Sequence, residues 1–357
     1  MTRCLITVLA LVQVLLGSAA HAADAISDGQ WFHGFLKTAA AHTIGRGEGV
    51  TVAVIDSGVD ATHPDLAGSV LSGVDLVGAG DGRLDVYGHG TAMAGIIAAH
   101  GKVQGVAPQA KILPIRVMER GEAARDRQAV GIRRAVAAGA KVISISIAGP
   151  GEDLLQRQEV EAALAADVVI VAGAGNKPEA ENVQYPAAIE GVVAVSGLDR
   201  NGALWARSAT GSQLVLAAPS EGISSTGLRK THYVSDGTSY ATAIVAGAVA
   251  LVRAKFPNLK ASEVIRRLTA TAIDKGTPGR DSSYGYGILN IVGALTADVP
   301  QASPSPSSTV ANAGGPTQGP GDSGGGSRIP WWVWALAAVA VGAALVVWSL
   351  LRMRAPQ

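Results

Sequence analysis

Three short stretches of this chain could assemble a nucleophilic site: Val54-Ile55-Asp56-Ser57-Gly58, Gly88-His89-Gly90-Thr91 and Gly237-Thr238-Ser239-Tyr240-Ala241. A serine hydroxyl is a weak nucleophile until a histidine takes its proton. The histidine does this best when a carboxylate fixes its tautomer and stabilises its charged form. Singly, each residue has an ordinary explanation: an aspartate ending an apolar strand, a surface histidine, a serine capping a helix. Together, in tight Gly/Thr/Ser settings, they point to acyl transfer with Asp56, His89 and Ser239 as the catalytic set. A fourth stretch, Val171-Ala172-Gly173-Ala174-Gly175-Asn176, ends an apolar run in small residues and then an amide. It reads either as a Gly-Asn turn or as an oxyanion hole, with Asn176 donating beside the Ser239 backbone N–H.

The elements that must hold these residues follow from apolar runs and helical spacing. Strands are predicted over Val50–Ile55, Lys111–Val117, Val142–Ile147, Val168–Ala172, Val192–Ser196 and Leu214–Ala217. Helices are predicted over His89–His100, Arg125–Ala138, Leu155–Ala165, Thr238–Lys255 and Ser262–Ala272. In the second helix Ala129, Ile132 and Val136 make one apolar face, and Gly139 is a stop. Strands apolar throughout, alternating with helices, predict an α/β fold of three layers, a mostly parallel sheet covered on both faces. Ligands in such sheets sit outside the carboxyl ends of strands, where Asp56 falls. His89 and Ser239 each open a helix, and a helix N-terminus offers free N–H groups to a developing oxyanion.

The two ends of the chain read as something other than fold. Arg3, the apolar Leu5–Leu16 and Ala20-His21-Ala22 make a signal peptide over residues 1–22. Ile329 to Leu351 carries no charge and at about 1.5 Å per residue spans about 34 Å, enough for a bilayer. Trp331, Trp332, Trp334 and Trp348 mark its rims, and Arg352 and Arg354 follow it. The positive-inside rule puts the tail 352–357 in the cytoplasm and the domain outside the membrane. Residues 299–328, rich in Pro, Ser and Gly, read as a tether. That leaves 23–48 as an extension, whose Trp31, Phe32 and Phe35 are expected to pack on the body, and 49–298 as the catalytic domain. The one cysteine, Cys4, lies in the signal, so no disulfide and no thiol nucleophile is expected in the mature protein. Twenty-nine Lys and Arg balance 28 Asp and Glu; with no basic stripe, nucleic acid is excluded as a partner. No Cys/His spacing suggests a metal, and no cofactor motif is found.

These motifs resemble the subtilases, the subtilisin-like serine proteases, over about Gly47 to Leu295. The resemblance implies further site residues: Val142–Gly149 as the edge strand that pairs with an extended peptide, Ser146, Ile147 and Ala148 lining the substrate site, and Gly173, Ala174 and Gly175 forming the opposite wall of the pocket. It also implies a cis Tyr185–Pro186 bond. Gly47–Asp56, Asp60–Leu66, His89–Gly95 and the order signal, domain, tether and anchor are similar to one branch, the mycosins. That likeness implies a membrane-anchored extracytoplasmic endopeptidase whose substrates are peptides or exported proteins and whose partner is a type VII secretion complex in the cytoplasmic membrane. It also implies folding without a cleaved prodomain, for which residues 23–48 are too short. Two other readings stand beside it: a general surface subtilase, and a structural part of the complex whose proteolysis is dispensable. The chain departs from its relatives in lacking disulfides, in Ala243 where Pro is usual, and in Ala148 where Gly is usual. It passes directly from His100–Gly105 to Val106-Ala107-Pro108 without the calcium loop of some subtilisins, so no tight calcium site of that kind is expected.

Overall fold

The computed structural model describes residues 25–119 and 122–300, all within a compact unit spanning Met1–Ala302. The signal peptide, nearly all of the tether, the apolar span and the tail lie outside the described residues. Among the described residues there are eleven strands: β1 Thr51–Asp56, β2 Val74–Asp75, β3 Lys111–Arg116, β4 Met118–Glu119, β5 Glu122–Ala123, β6 Val142–Ile145, β7 Val169–Gly173, β8 Val193–Leu198, β9 Leu214–Pro219, β10 Ile223–Thr226 and β11 His232–Ser235. The α-helices that follow Gln30 are α1 Trp31–Phe35, α2 Thr38–His42, α3 His89–Ala98, α4 Arg125–Ala137, α5 Leu154–Ala165, α6 Thr238–Lys255, α7 Ala261–Ala270 and α8 Ile291–Thr296. Each long element sits within a few residues of its sequence-predicted range. Among the described residues no helix is long and apolar enough to cross a membrane.

Seven strands form one sheet in the order β2-β3-β1-β6-β7-β8-β9, and every pairing in it is parallel. From β1 the chain goes to β2 at one edge, returns through β3 beside β1, then crosses to β6 and runs outward to β9, so the order reverses between β1 and β6, where such sheets open a crevice. Strand side chains alternate between faces, and two cores result. Val52, Val54, Val142, Val169 and Val171 join α3 and α6 in one. Ala53, Ile55, Ile143, Ile145 and Ile170 join Ile132 and Ala135 of α4 and Val160 and Ala163 of α5 in the other. Three layers with two dry interfaces follow. In α4 the buried face uses Ala135, while Val136 is half-buried at its edge.

One expectation is corrected. Val142–Gly149 is not an edge strand: β6 lies inside the sheet, between β1 and β7. Its ladder stops at Ile145. Only the segment beyond it, which meets Tyr185 through a bridge at Gly149, is left free to pair with another chain. The Tyr185–Pro186 bond is cis, as is Lys177–Pro178.

The extension is folded against the domain. Phe32 is fully buried, Trp31 Nε1 donates to Glu221 O (3.0 Å), and His42 Nε2 meets Val106 O (2.9 Å). Burial, aided by the neighbouring His42, holds the His33 pKa down at about 4 despite its bond to Gln104 O.

Candidate active site

Alternation along β1 decides where Asp56 points. Val52 and Val54 face the core under α3 and α6, so Asp56 at the strand's carboxyl end faces the same way. It is completely buried. Its Oδ1 accepts the Ser57 N–H at 2.8 Å, and both oxygens meet His89 Nδ1, at 2.8 and 2.9 Å. A carboxylate only accepts, so His89 carries its proton on Nδ1 and turns Nε2 outward as a free base.

Close approach of α3 to β1 makes this contact. A Cβ on Gly90 would lie 2.1 Å from Gly58 O and 3.0 Å from the Asp56 Cβ, so only glycine fits there. Gly90 N–H is taken by Ser57 Oγ (2.9 Å). Asp85, which sequence reasoning missed, gathers the loop ahead of α3: Oδ1 accepts from Tyr87 N and Gly88 N, and Oδ2 from Thr91 N and Thr91 Oγ1. Its signal was local, an acidic residue three before the helix N-cap.

Burial works against a charge on His89. The Asp56 charge and hydrogen bond outweigh it, with Asp85 adding, and the imidazole pKa is raised above its ordinary value.

Ser239 stands in the first turn of α6, three residues beyond Asp236 at the end of the hairpin β10–β11. Its Oγ donates to Ser146 O (3.1 Å), and Ser146 Oγ returns a bond to Ser239 O (3.3 Å). The hydroxyl is thus parked on Ser146, and no hydrogen bond joins it to His89. Thr238 N donates to Asn176 Oδ1 (2.9 Å), as does Thr238 Oγ1 (3.0 Å). A backbone N–H requires an acceptor, so the amide oxygen of Asn176 faces Thr238 and Nδ2 is left as an open donor. Ser239 N–H is open too, one of the unpaired groups of a helix start. Thr238, also missed from sequence, is what orients Asn176.

A cavity of about 540 Å³ opens beside Ser239. Ser146, Ala148, Gly173, Gly175 and Asn176 line it, together with Tyr87 and Glu179, which the sequence reading did not single out. Ile147 instead packs, half-buried, against the core under α4 and α5, and Ala174 is wholly buried in that core.

Away from the cleft, His63, Asp65 and His232 bring ligand-type atoms within 4.8 Å of one another. Their bonds are already made. His63 Nδ1 accepts Asp65 N–H (3.1 Å) while Nε2 donates to Thr231 O (3.0 Å). Asp65 Oδ2 accepts from His232 Nε2 (2.8 Å) and Val103 N (2.9 Å). A metal would orphan the Asp65 N–H, so the trio reads as a latch between the turn at His63–Leu66 and β11.

Comparison with known proteins fits this geometry. Residues 47–287 match the Subtilase family. Subtilisin DY of Bacillus licheniformis is 36% identical over 257 residues, covering 70% of this chain and 92% of that protein. Among solved structures, MycP1 with its N-terminal propeptide removed is similar with a TM-score of 0.69 at 29% identity, covering 76% of this chain and 98% of the other. The MycP3 protease, described as from the type VII (ESX-3) secretion system, gives 0.68 at 32% identity, covering 75% and 88%. The order of Asp56, His89 and Ser239 along the chain, and a match whose span includes all three, lead to one conclusion: this chain belongs to the subtilase family and is a serine endopeptidase.

Proposed function

We propose that Asp56, His89 and Ser239 cleave peptide bonds of exported proteins through an acyl-enzyme, at the outer face of the membrane and in association with type VII secretion. The observation that carries the chemistry is the doubly bonded Asp56–His89 pair, with Nε2 free and two open donors at the α6 start. An extended peptide laid along Ser146–Ala148 donates its N–H to Ser146 O and so competes for the acceptor that holds Ser239 Oγ. The released hydroxyl turns to His89 Nε2, which takes its proton as Oγ attacks the carbonyl carbon. Ser239 N–H and Asn176 Nδ2 receive the oxyanion. His89 returns the proton to the leaving amine, and water repeats the sequence to free the acid. Asp56 stays ionised and stabilises the imidazolium.

The secretion context rests on similarity to MycP1 and MycP3. The membrane setting rests on the signal-like 1–22 and the apolar 329–351. The test is labelling of the purified protein with a fluorophosphonate probe: wild type reacts and Ser239→Ala does not. Equal labelling of the two ends the catalytic assignment. A second reading is favoured by one neighbour, a MycP1 described as an essential component of the type VII (ESX-1) secretion system. Here the protein would serve the complex as a part. Secretion restored by Ser239→Ala in a deletion strain selects that reading, and a genome without secretion-system genes nearby removes both in favour of a general surface protease.

A further inference from the structure

One part of the cavity beside Ser239 is walled by residues that contribute little side chain, Ala148, Gly149, Gly173 and Gly175; Tyr87, Pro150 and Gln184 also line it. Its single charged lining residue is Glu179. The backbone brings that residue in by a close approach. Gly175 has φ +109°, and a Cβ there would lie 2.9 Å from both the Ala180 Cβ and the Gln184 Cγ. Only glycine lets the loop 176–184 fold back beside the end of β7, and this carries Glu179 to the rim of the cavity.

The cations around it are committed elsewhere. Lys177 pairs with Glu181 (3.6 Å), and Arg207 donates to Lys177 O and lies over the Trp205 ring. Arg125 stands behind the turn 149–151, bonded to Gly151 O (2.9 Å) and outside the lining. Among the described residues nothing donates to or pairs with the Glu179 carboxylate, although its neighbour Glu181 has found a cation. An acidic residue on the exposed rim of an otherwise uncharged pocket favours a cation of extended shape.

We infer that Glu179 makes this cavity a site for a basic side chain, so that the enzyme prefers arginine or lysine on the acyl side of the bond it cuts. This deepens the endopeptidase assignment and rests on it. Glu179 is exposed, so the expected preference is about fivefold, the upper end for an ion pair in that setting.

The test uses the full chain in detergent and coumarin-amide tetrapeptides, randomised at the outer positions, with arginine, citrulline or leucine before the coumarin. Citrulline matches arginine in shape without the charge. Wild type is expected to show kcat/KM about fivefold higher for arginine than for citrulline. Glu179→Gln should equalise the two, and Glu179→Lys should turn the order round. Equal rates for arginine and citrulline in wild type overturn the inference, as does a preference that survives Glu179→Gln. Fluorophosphonate labelling separates the failures. A labelled enzyme without the preference loses only this inference, whereas no labelling and no turnover end the endopeptidase assignment and the inference with it.

Discussion

Asp56 and His89 set the pH at which the site can work. Catalysis needs His89 neutral, and the carboxylates of Asp56 and Asp85 hold its pKa above the ordinary value despite burial. Activity therefore falls with acidification through a limb lying above the ~6.5 of a free imidazole. The same pair has the opposite effect on stability. A histidine whose pKa is higher folded than unfolded stabilises the fold fully at pH below its unfolded pKa, and that contribution is lost as pH rises through the folded value. Asp56→Asn should move the limb of kcat/KM to lower pH and reduce kcat about 10⁴-fold, because an amide cannot hold the required tautomer. A pH profile between about 5 and 9 checks this, and a limb unmoved in the variant refutes the assignment of the limb to His89. Asn176 contributes on the other side of the bond. Its amide is pre-aimed by Thr238, so Asn176→Ala should cost ~10²–10³ in kcat with KM little changed.

The elements position these residues through close contacts more than through long-range charge, and the contacts explain what could be read from sequence. The apolar runs of β1, β6 and β7 and the small-residue helix α6 announce themselves because they are buried on every side. The hairpin β10–β11 did not. Ile223-Ser224-Ser225-Thr226 looks like a loop by composition, yet all four residues are buried. Their hydroxyls are spent on backbone: Ser224 on Ile26 O, Ser225 on Ala92 O and Thr226 on Thr91 O. Polar residues can line an interface when each finds a carbonyl, and no local pattern encodes which carbonyl that is. The same holds for Glu179, whose place at the cavity depends on how the loop after Gly175 folds back. A buried cation on α6 gives a testable case at this scale. Arg253 is 4% exposed and bonds Asp167 Oδ2 (3.3 Å), Asp167 O and Leu259 O, while Asp167 Oδ1 accepts the Ala261 N–H at the start of α7. Asp167→Ala leaves the guanidinium without its counter-charge and α7 without its cap. It should cost about 3 kcal/mol, the low end for breaking a buried pair because two carbonyls still hold Arg253. Urea unfolding reads this directly, and a variant as stable as wild type denies the pair any structural role.

At the scale of the whole molecule, two cores on opposite faces of one parallel sheet account for a stable domain without disulfides. A chain of this size buries enough surface to need no covalent staple, and its one cysteine, Cys4, lies in the signal-like leader. The three-layer order was legible because helix and strand periods alternate along the whole stretch. The packing of the extension was legible only as an expectation from Trp31, Phe32 and Phe35, since its partners, Glu221, Gln104 and Val106, are remote in sequence. The proposed membrane setting rests on the sequence beyond the described residues. An uncharged run from Ile329 to Leu351, rimmed by tryptophans and closed by Arg352 and Arg354, has the length and charge asymmetry of a spanning helix. The full chain should then remain with the membrane pellet through an alkaline carbonate wash, and a chain ended after Asp298 should appear in the soluble fraction. Because the cleft from Asp56 to Ser239 lies wholly within the domain, the released form should label with fluorophosphonate as fast as the anchored one. A full chain that washes off removes the anchor, and a released form that no longer labels shows that the site depends on the segment after 298.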